Sequence, residues 1–235
     1  GRQNFDNVHI QGAKKVAKEA WKCGAKYFVQ VSAIGASNGS KAKYGRSKSM
    51  GEKAICDAFK GATIIRPSVL FGPEDDFFNK FAKLASWLPF LPLIGKGNTR
   101  FQPVYVADVA RAIVATIDAP ALAGKTYELG GPEVMTYKDI LRYILKQTGR
   151  QRPFFSAPPA FWKLKAWFWE LMPTPILTRD QIRMLAYDNV VDENTPGFAA
   201  LGITPISLQM VVPGYLARYR KSQHIAVDAG DESPA

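Results

Sequence analysis

The sequence predicts an α/β protein with a partial doubly wound parallel sheet of the Rossmann type and a smaller, helix-rich lobe at its carboxyl end. Residues 26–32 and 62–67 are short apolar runs with few charges, which is typical of strands buried on both faces of a parallel sheet. Residues 8–22 and 44–59, which precede these runs, have apolar side chains at helical spacing. Helices that alternate with buried strands indicate right-handed βαβ units.

Composition agrees with a folded protein of this size. The chain has 235 residues, of which 47% are hydrophobic and 22% charged, enough for one large domain or a core with a small lobe. We expect no signal peptide, because the first residues have neither a basic lead nor an apolar run. Cys23 and Cys56 lack ligand spacing, so we expect small core residues in a reducing compartment and no metal site.

The later segments continue the alternation. Thr136 and Asp139 form a predicted capping box at the start of a helix, and Asp108 is expected to cap an earlier one. The acidic cluster at residues 74–76 is interpreted as a helix N-terminus. The predicted divisions are a sheet core over residues 1–148, to whose crevice residues 71–105 contribute, a lobe over 149–222 and a disordered tail over 223–235.

The net charge of the chain is +11, with a pI near 9.6. A basic surface attracts the phosphate groups of a dinucleotide, an anionic lipid or a nucleic acid, or it is simply solvated. The sequence has no recognisable nucleic-acid-binding motif, so no nucleic-acid partner is expected.

Tyr44 and Lys48 carry the sharpest chemical signal. They are four residues apart in a predicted helix, so their side chains lie on one face, one turn apart. A neighbouring ammonium is expected to lower the pKa of the phenol. Such a phenol can exchange a proton with a carbonyl or hydroxyl oxygen while a nicotinamide exchanges hydride. A solvent-facing pair is the alternative, and the flanking buried strands favour the site.

These motifs resemble the extended short-chain dehydrogenase/reductase superfamily. The segments at Tyr44–Lys48, Ile65–Pro73 and Pro103–Asp108 carry this resemblance. More narrowly, the chain is similar to the bacterial relatives of the NADPH-binding accessory subunit of respiratory complex I. The segments that support this narrower resemblance include Val31–Ala36, Phe71–Asn79, Pro92–Gly97, Leu177–Gln181 and Asp188–Val190.

The resemblance implies a site at the carboxyl edge of the sheet for NADP(H) or NAD(H). Its catalytic candidates are Tyr44 and Lys48, with Ser32 in second place. The implied cofactor contacts are Val31, Ser32, Ala33, Tyr44, Lys48, Arg66, Pro67, Ser68 and Val69. The implied crevice residues are His9, Phe71, Phe78 and Gln102. A surface Arg66, a strand-stopping Pro67 and a merely buried His9 are the alternatives.

Two features of the superfamily are missing from this sequence. The Gly-rich turn that cradles a pyrophosphate is not found, so the resemblance implies that it precedes residue 1. Active members also place a Ser or Thr hydroxyl where this chain has Ala33 and Ile34, and Ser32 is one step early. The residue that would separate NAD from NADP belongs to the missing segment, so both remain open.

Residues 161–172 form an unusual aromatic and basic helix. Trp162, Lys165 and Trp169 are predicted to share one face, and Phe161, Leu164, Phe168 and Leu171 the other. Aromatic and basic side chains suit a membrane interface or a partner groove, and we assign the contact to the Trp162, Lys165 and Trp169 face. Burial of both faces in the lobe is the alternative.

Two functions follow from these observations. The first is an accessory or assembly protein of the respiratory NADH:ubiquinone oxidoreductase type, with little or no turnover. Its partners would be a respiratory complex or quinone-biosynthesis proteins. It would lie in the cytoplasm or peripherally on the inner face of the bacterial inner membrane, and the matrix side of mitochondria is the alternative. The second is an NAD(P)-dependent oxidoreductase or epimerase acting on a sugar nucleotide, carbonyl or quinone precursor.

Overall fold

A computed structural model describes residues 4–170 and 177–220. The strands in these ranges are β1 Val29–Val31, β2 Thr63–Pro67, β3 Leu70–Phe71, β4 Leu91–Ile94, β5 Arg100–Phe101, β6 Val104–Tyr105, β7 Thr126–Leu129, β8 Met135–Thr136 and β9 Phe154–Ala157. The helices are α1 Ala13–Lys22, α2 Lys43–Ala58, α3 Phe78–Trp87, α4 Val106–Asp118, α5 Tyr137–Gln147, α6 Pro159–Trp169, α7 Arg179–Met184 and α8 Leu208–Leu216. A π-helical segment, Asp6–Gly12, leads into α1.

The central sheet has three parallel strands in the order β1-β2-β7. Its register pairs Val31 with Ile65 and Arg66 with Glu128. Separate apolar clusters cover it, one built from α1 and α2 around Ile55 and the other from α4 against Ile65. The predicted α/β class with a parallel, doubly wound sheet is confirmed.

The largest apolar cluster belongs to the carboxyl-terminal lobe. It joins α3, α5, α6 and α8 through buried residues such as Phe81, Ile140, Trp162 and Val212. The pairing of β4 with β9 adds a two-stranded parallel ladder to this layer. Helix α5 also packs in this cluster, and the division at residue 148 stays a prediction.

Two helix starts follow their predicted chemistry. The Thr136 hydroxyl accepts a hydrogen bond from the backbone N–H of Asp139 at the start of α5. At the start of α3, Asp75 Oδ1 accepts from the backbone N–H groups of Phe78 and Asn79, at 2.6 and 3.1 Å. The acidic cluster therefore stabilises a helix N-terminus, as expected.

Other local predictions were wrong. Cys23 and Cys56 are both exposed, because Cys23 follows the last turn of α1 and Cys56 lies on the outer side of α2. Asp108 does not cap α4, whose N-cap is Tyr105. Its buried carboxylate instead accepts a hydrogen bond from the backbone N–H of Ile206, at 2.6 Å, and so ties a distant loop to α4.

The predicted tail, residues 223–235, lies outside the described residues, as does His224.

Candidate functional site

Tyr44 and Lys48 lie together at the rim of the central sheet. Lys48 Nζ is 5.7 Å from the centre of the Tyr44 ring. The same ammonium donates a hydrogen bond to the backbone oxygen of Val31, the last residue of β1, at 3.3 Å. The helical spacing of the two residues therefore places a phenol and a cation side by side at the carboxyl edge of a parallel sheet.

The first turn of α2 is held by a residue from the far end of the chain. Asp180 of α7 accepts hydrogen bonds from the backbone N–H groups of Lys43, at 2.8 Å, and Tyr44, at 3.0 Å. These N–H groups have no partner within the helix, so the carboxylate supplies one. Its negative charge also interacts favourably with the positive end of the helix dipole. The sequence did not predict this role of Asp180, which occurs in the Leu177–Gln181 segment that supported the resemblance.

Close packing against α2 fixes the N-terminal segment beside the site. A Cβ atom at Gly51 would lie 2.2 Å from the backbone oxygen of His9, which no side chain tolerates. Gly51 thus allows the π-helical segment to approach α2 closely. This approach brings His9 next to Tyr44.

His9 takes part in a small polar and aromatic cluster. Its Nδ1 lies 2.8 Å from Ser47 Oγ, which donates to the backbone oxygen of Tyr44 at 2.9 Å. With that hydroxyl proton donated to Tyr44, we assign the proton of a neutral His9 ring to Nδ1, which then donates to Ser47. The His9 ring stacks on Phe5 at 5.2 Å and meets the Tyr44 ring edge-on at 5.5 Å.

Burial dominates the ionisation of these groups. It raises the pKa of the Tyr44 phenol and lowers the pKa of the Lys48 ammonium, which Glu52 opposes. The pKa of His9 is lowered by burial and by the nearby Lys48 charge. The expected lowering of the Tyr44 pKa by Lys48 was therefore wrong, because burial of the phenol raises its pKa.

A cavity of about 410 Å³ opens beside this cluster. His9, Ser32 and Lys48 line it together with Gln30 and Glu52. Ser32 is only 4% exposed, and its hydroxyl has no hydrogen-bond partner. A buried hydroxyl without a partner is costly, and a bound polar ligand would satisfy it. The cavity therefore fits a polar group such as a ribose, whereas Tyr44 is not among its lining residues.

Arg66 is held in an ion network across the sheet. Its Nε and Nη2 bind both carboxylate oxygens of Glu52, at 3.0 and 2.7 Å. Its Nη1 reaches Glu128 at 3.4 Å. All three guanidinium nitrogens are thus committed to carboxylates, and the network joins α2 to β2 and β7.

The residues after β2 are bound by Asn189, which sequence reasoning missed. Asn189 Oδ1 accepts from Ser68 Oγ, at 2.7 Å, and from the backbone N–H of Val69, at 3.1 Å. Pro67 accepts from the backbone N–H of Ile34 at 3.0 Å. Asn189 occurs in the segment that supported the resemblance, but the sequence gave no signal for its partner 121 residues away.

The structure separates the implied crevice residues. Phe71 and Phe78 are both 0% exposed and belong to the lobe core, so the prediction that they line the crevice was wrong. The Gln102 amide donates to the Gly131 oxygen and accepts from the backbone N–H of Val191. Val31 is exposed, and Ala33 is half-buried just beyond the end of β1.

The aromatic helix α6 presents a different face from the one assigned. Trp162 is 3% exposed and packs in the lobe core, because its face rather than the other meets α3 and α5. Leu164 is 60% exposed and Phe168 is 53% exposed. Lys165 Nζ lies 6.0 Å from the Phe161 ring centre. The side chain of Trp169 and all of Leu171 lie outside the described residues.

Within residues 4–170 and 177–220, no helix combines the length and apolar character required to cross a bilayer. The same ranges contain no cluster of three or more His, Cys, Asp or Glu side chains able to hold a metal ion.

Comparison with known proteins gives consistent matches. A family model described as the RmlD substrate binding domain matches residues 2–160. The mitochondrial NADH dehydrogenase (ubiquinone) 1 alpha subcomplex subunit 9 of Arabidopsis thaliana is 38% identical over 93% of this chain and 57% of its own length. Its counterpart in Mus musculus is 33% identical over 99% of this chain and 62% of its own. This chain spans roughly three-fifths of the length of these relatives.

A solved structure supplies a match to the fold. The dTDP-glucose 4,6-dehydratase DesIV of Streptomyces venezuelae, solved with NAD and TYD bound, has a TM-score of 0.66 and 16% identity. The match covers 91% of this chain and 66% of that one. At this identity the likeness concerns the fold alone, and it agrees with the predicted Rossmann-type architecture.

Proposed function

This chain belongs to the family of the RmlD substrate binding domain, and from that membership we propose that it holds the nicotinamide half of an NAD(P)(H) in an accessory subunit of a respiratory NADH dehydrogenase. The expected resemblance to extended short-chain dehydrogenases and to complex I accessory subunits is confirmed at the level of family. The Arabidopsis and mouse relatives are both named as subunit 9 of the NADH dehydrogenase (ubiquinone) 1 alpha subcomplex, which supports the respiratory assignment.

The observation that supports the dinucleotide proposal is that Lys48 and Ser32, whose buried hydroxyl has no hydrogen-bond partner, line the same cavity. Lys48 would donate to ribose hydroxyls, and Ser32 would gain the partner that its burial requires. Tyr44 would hold or move a proton at its phenolic oxygen beside the same rim. A bound nicotinamide would supply hydride chemistry. NAD(H) and NADP(H) are equally compatible with these residues.

Little or no turnover is the better proposal for this site. No hydroxyl stands at positions 33 and 34, where Ala33 and Ile34 occur and Ile34 is buried. A phenol whose pKa is raised by burial is also a poor proton acceptor near neutral pH. Both features favour a dinucleotide that is retained as a structural component.

The binding test uses NADPH fluorescence on titration with the protein. Lys48→Met is expected to weaken NADPH binding about ten-fold, because it removes a charge-assisted donor. Lys53→Met, an exposed lysine on the same helix, is the matched control and should bind as the wild type does. Equal affinities for all three proteins would contradict the proposed site.

The turnover test uses the protein with its bound dinucleotide. We expect no NADPH oxidation with carbonyl or quinone substrates, and no difference between the wild type and Tyr44→Phe. A measurable rate that Tyr44→Phe abolishes would overturn the non-enzymatic proposal and support the second function.

That second function is a working oxidoreductase or epimerase. The specific observation in its favour is the intact pair of Tyr44 and Lys48, with the Ser32 hydroxyl in the adjoining cavity. Under this proposal Tyr44 is the proton donor and acceptor, and Ala33→Ser should raise the rate.

A respiratory assembly also requires a docking surface, and we place it on the exposed side of α6. Residues 140–169, which include α6, contain six Lys and Arg residues and no Asp or Glu. Phe90 and Phe155 pack ring to ring at 5.4 Å, and Phe155 continues to Phe161 at 5.9 Å. Exposed rings on a basic surface suit an anionic membrane interface.

Sedimentation with lipid vesicles tests this surface. Binding to vesicles that contain anionic lipid should exceed binding to neutral vesicles, and Leu164→Asp with Phe168→Asp should remove most of it. Met210→Asp, which changes another highly exposed apolar side chain, is the control. The relatives named above are mitochondrial, which favours the mitochondrial alternative for this chain. Failure to sediment with either vesicle type would contradict the membrane contact.

A further inference from the structure

A second cavity, of about 370 Å³, lies apart from the one that contains Lys48. Three chain segments meet around it, namely the loop before α2, the turn after β4 and the end of α7. Each segment contributes one cationic side chain, and these side chains are Lys41, Lys96 and Arg183. These three residues, which are 55 to 142 positions apart in the sequence, are thus brought to one opening, which a single surface loop would not achieve.

The charge around this cavity is unbalanced. No Asp or Glu is among its lining residues. Arg183 has a weak partner in Asp180, at 3.5 Å, and Asp180 also receives the two backbone N–H groups at the start of α2. Within the described chain, neither Lys41 nor Lys96 has a carboxylate within 4.0 Å.

Asp188, an acid next to the lining residue Tyr187, is already engaged. Asp188 follows Tyr187, which lines the cavity, and its two oxygens accept from the backbone N–H and Nε of Arg100, at 2.8 and 2.7 Å. Asp188 therefore offsets Arg100 and not the two lysines. An excess of positive charge is therefore left at the opening, because neither lysine has a carboxylate partner among residues 4–170 and 177–220.

From this juxtaposition we infer that the cavity binds a phosphate ester. Two ammonium groups and a guanidinium can surround a phosphate, and Arg183 can donate to two of its oxygens. Ile94, Ile182 and Leu185 supply an apolar wall for the organic part of the ligand. The volume falls at the lower end of the range of small-molecule sites. A free phosphate ester and the head of a phospholipid share this chemistry.

A bound phosphate would also link the core to the lobe. Lys41 belongs to the loop that leads to Tyr44, whereas Arg183 belongs to α7, whose Asp180 holds α2. A ligand that binds only the folded protein raises the free energy of unfolding by RT ln(1 + [L]/Kd). The inference does not depend on the dinucleotide proposal, because neither Lys48 nor Ser32 lines this cavity.

Isothermal titration with glycerol 3-phosphate and with dihexanoyl phosphatidate tests the inference, with glycerol as the uncharged reference. We expect both phosphates to bind and glycerol not to bind. The double variant Lys41→Gln with Lys96→Gln should bind at least about ten-fold more weakly. Both lysines are exposed and make no described hydrogen bond, so the double variant is expected to fold; its thermal unfolding curve checks this.

Lys53→Gln is the matched control, since it removes one exposed lysine of α2 away from the cavity. Tighter binding of the dihexanoyl lipid than of glycerol 3-phosphate would identify a phospholipid source, and equal binding a free phosphate ester; both outcomes support the site. Failure of both phosphates to bind at millimolar concentration, or equal binding by the wild type and the double variant, would overturn it.

Discussion

The hydrogen bonds of His9 set the chemical state of the site at the level of single residues. His9 Nδ1 is assigned as the donor to Ser47 Oγ, and this hydroxyl donates to the backbone oxygen of Tyr44. A neutral His9 therefore satisfies both hydrogen bonds. A second proton on the ring would place a cation beside the Lys48 ammonium. The lowered pKa of His9 reflects this repulsion together with burial.

The stability of the protein should therefore depend on His9 as the pH falls. The folded-state pKa of His9 lies below that of the unfolded chain, so its contribution is complete above the unfolded pKa and is lost as the solution becomes more acidic. We expect the wild-type Tm to fall from about pH 7.5 to about pH 5.5, and His9→Gln to flatten this dependence.

The chain has only one other histidine, His224, which makes a matched control possible. His224→Gln should keep the wild-type pH dependence. If both variants follow the wild type, then other groups titrate in this range and the environment assigned to His9 is wrong.

Helix α2 is the element that organises the site. It carries Tyr44, Ser47 and Lys48 on neighbouring turns, and it packs against the N-terminal segment through Gly51. Its position depends on the absence of a side chain at Gly51 as much as on the residues that do chemistry. Substitutions on the face of α2 that packs against the N-terminal segment should therefore be tolerated less well than substitutions on its exposed face.

Gly51→Ala should destabilise the protein by about 2 kcal/mol, since the new methyl group would overlap the backbone oxygen of His9. Gly214→Ala is the matched control, because Gly214 is also helical and has no heavy atom within 4 Å of an added Cβ. The control should be stabilised by about 0.5–1 kcal/mol through helix propensity. Chemical denaturation measures the free energy of unfolding of both variants. Equal changes in the two variants would show that the close approach at Gly51 does not contribute to stability.

At the scale of the whole molecule, contacts between distant segments join the lobe to the sheet core. Asp180 reaches the start of α2 from α7, and Asn189 holds the loop after β2. Through these contacts the lobe fixes two sides of the candidate site. Loss of either contact should loosen the site without unfolding the sheet.

Asp180→Ala should therefore increase hydrogen exchange in the first turn of α2 and lower the free energy of unfolding by about 1 kcal/mol. Asp180→Asn keeps an acceptor oxygen and should have a smaller effect. Asp57→Ala, at the other end of α2, is the control, since Asp57 is exposed. Unchanged exchange in α2 of the Asp180→Ala protein would contradict this coupling.

Much of the fold follows from sequence periodicity, whereas the partners of the site residues do not. The four-residue spacing of Tyr44 and Lys48 fixes their relation in any helix, so their adjacency was predictable. Asp180 and Arg66 act through residues that are distant in sequence, and no local pattern pairs them. In α6 both faces are aromatic, so helical spacing alone could not decide that Trp162 is the buried one.

A structure of the protein with NADPH would test the proposed site most directly. We expect the nicotinamide ribose in the cavity that Ser32 and Lys48 line, with its hydroxyls within hydrogen-bond distance of Lys48 Nζ and the Ser32 hydroxyl. A dinucleotide bound elsewhere, or no dinucleotide at saturating NADPH, would contradict the proposal that this rim of the sheet is a nicotinamide site.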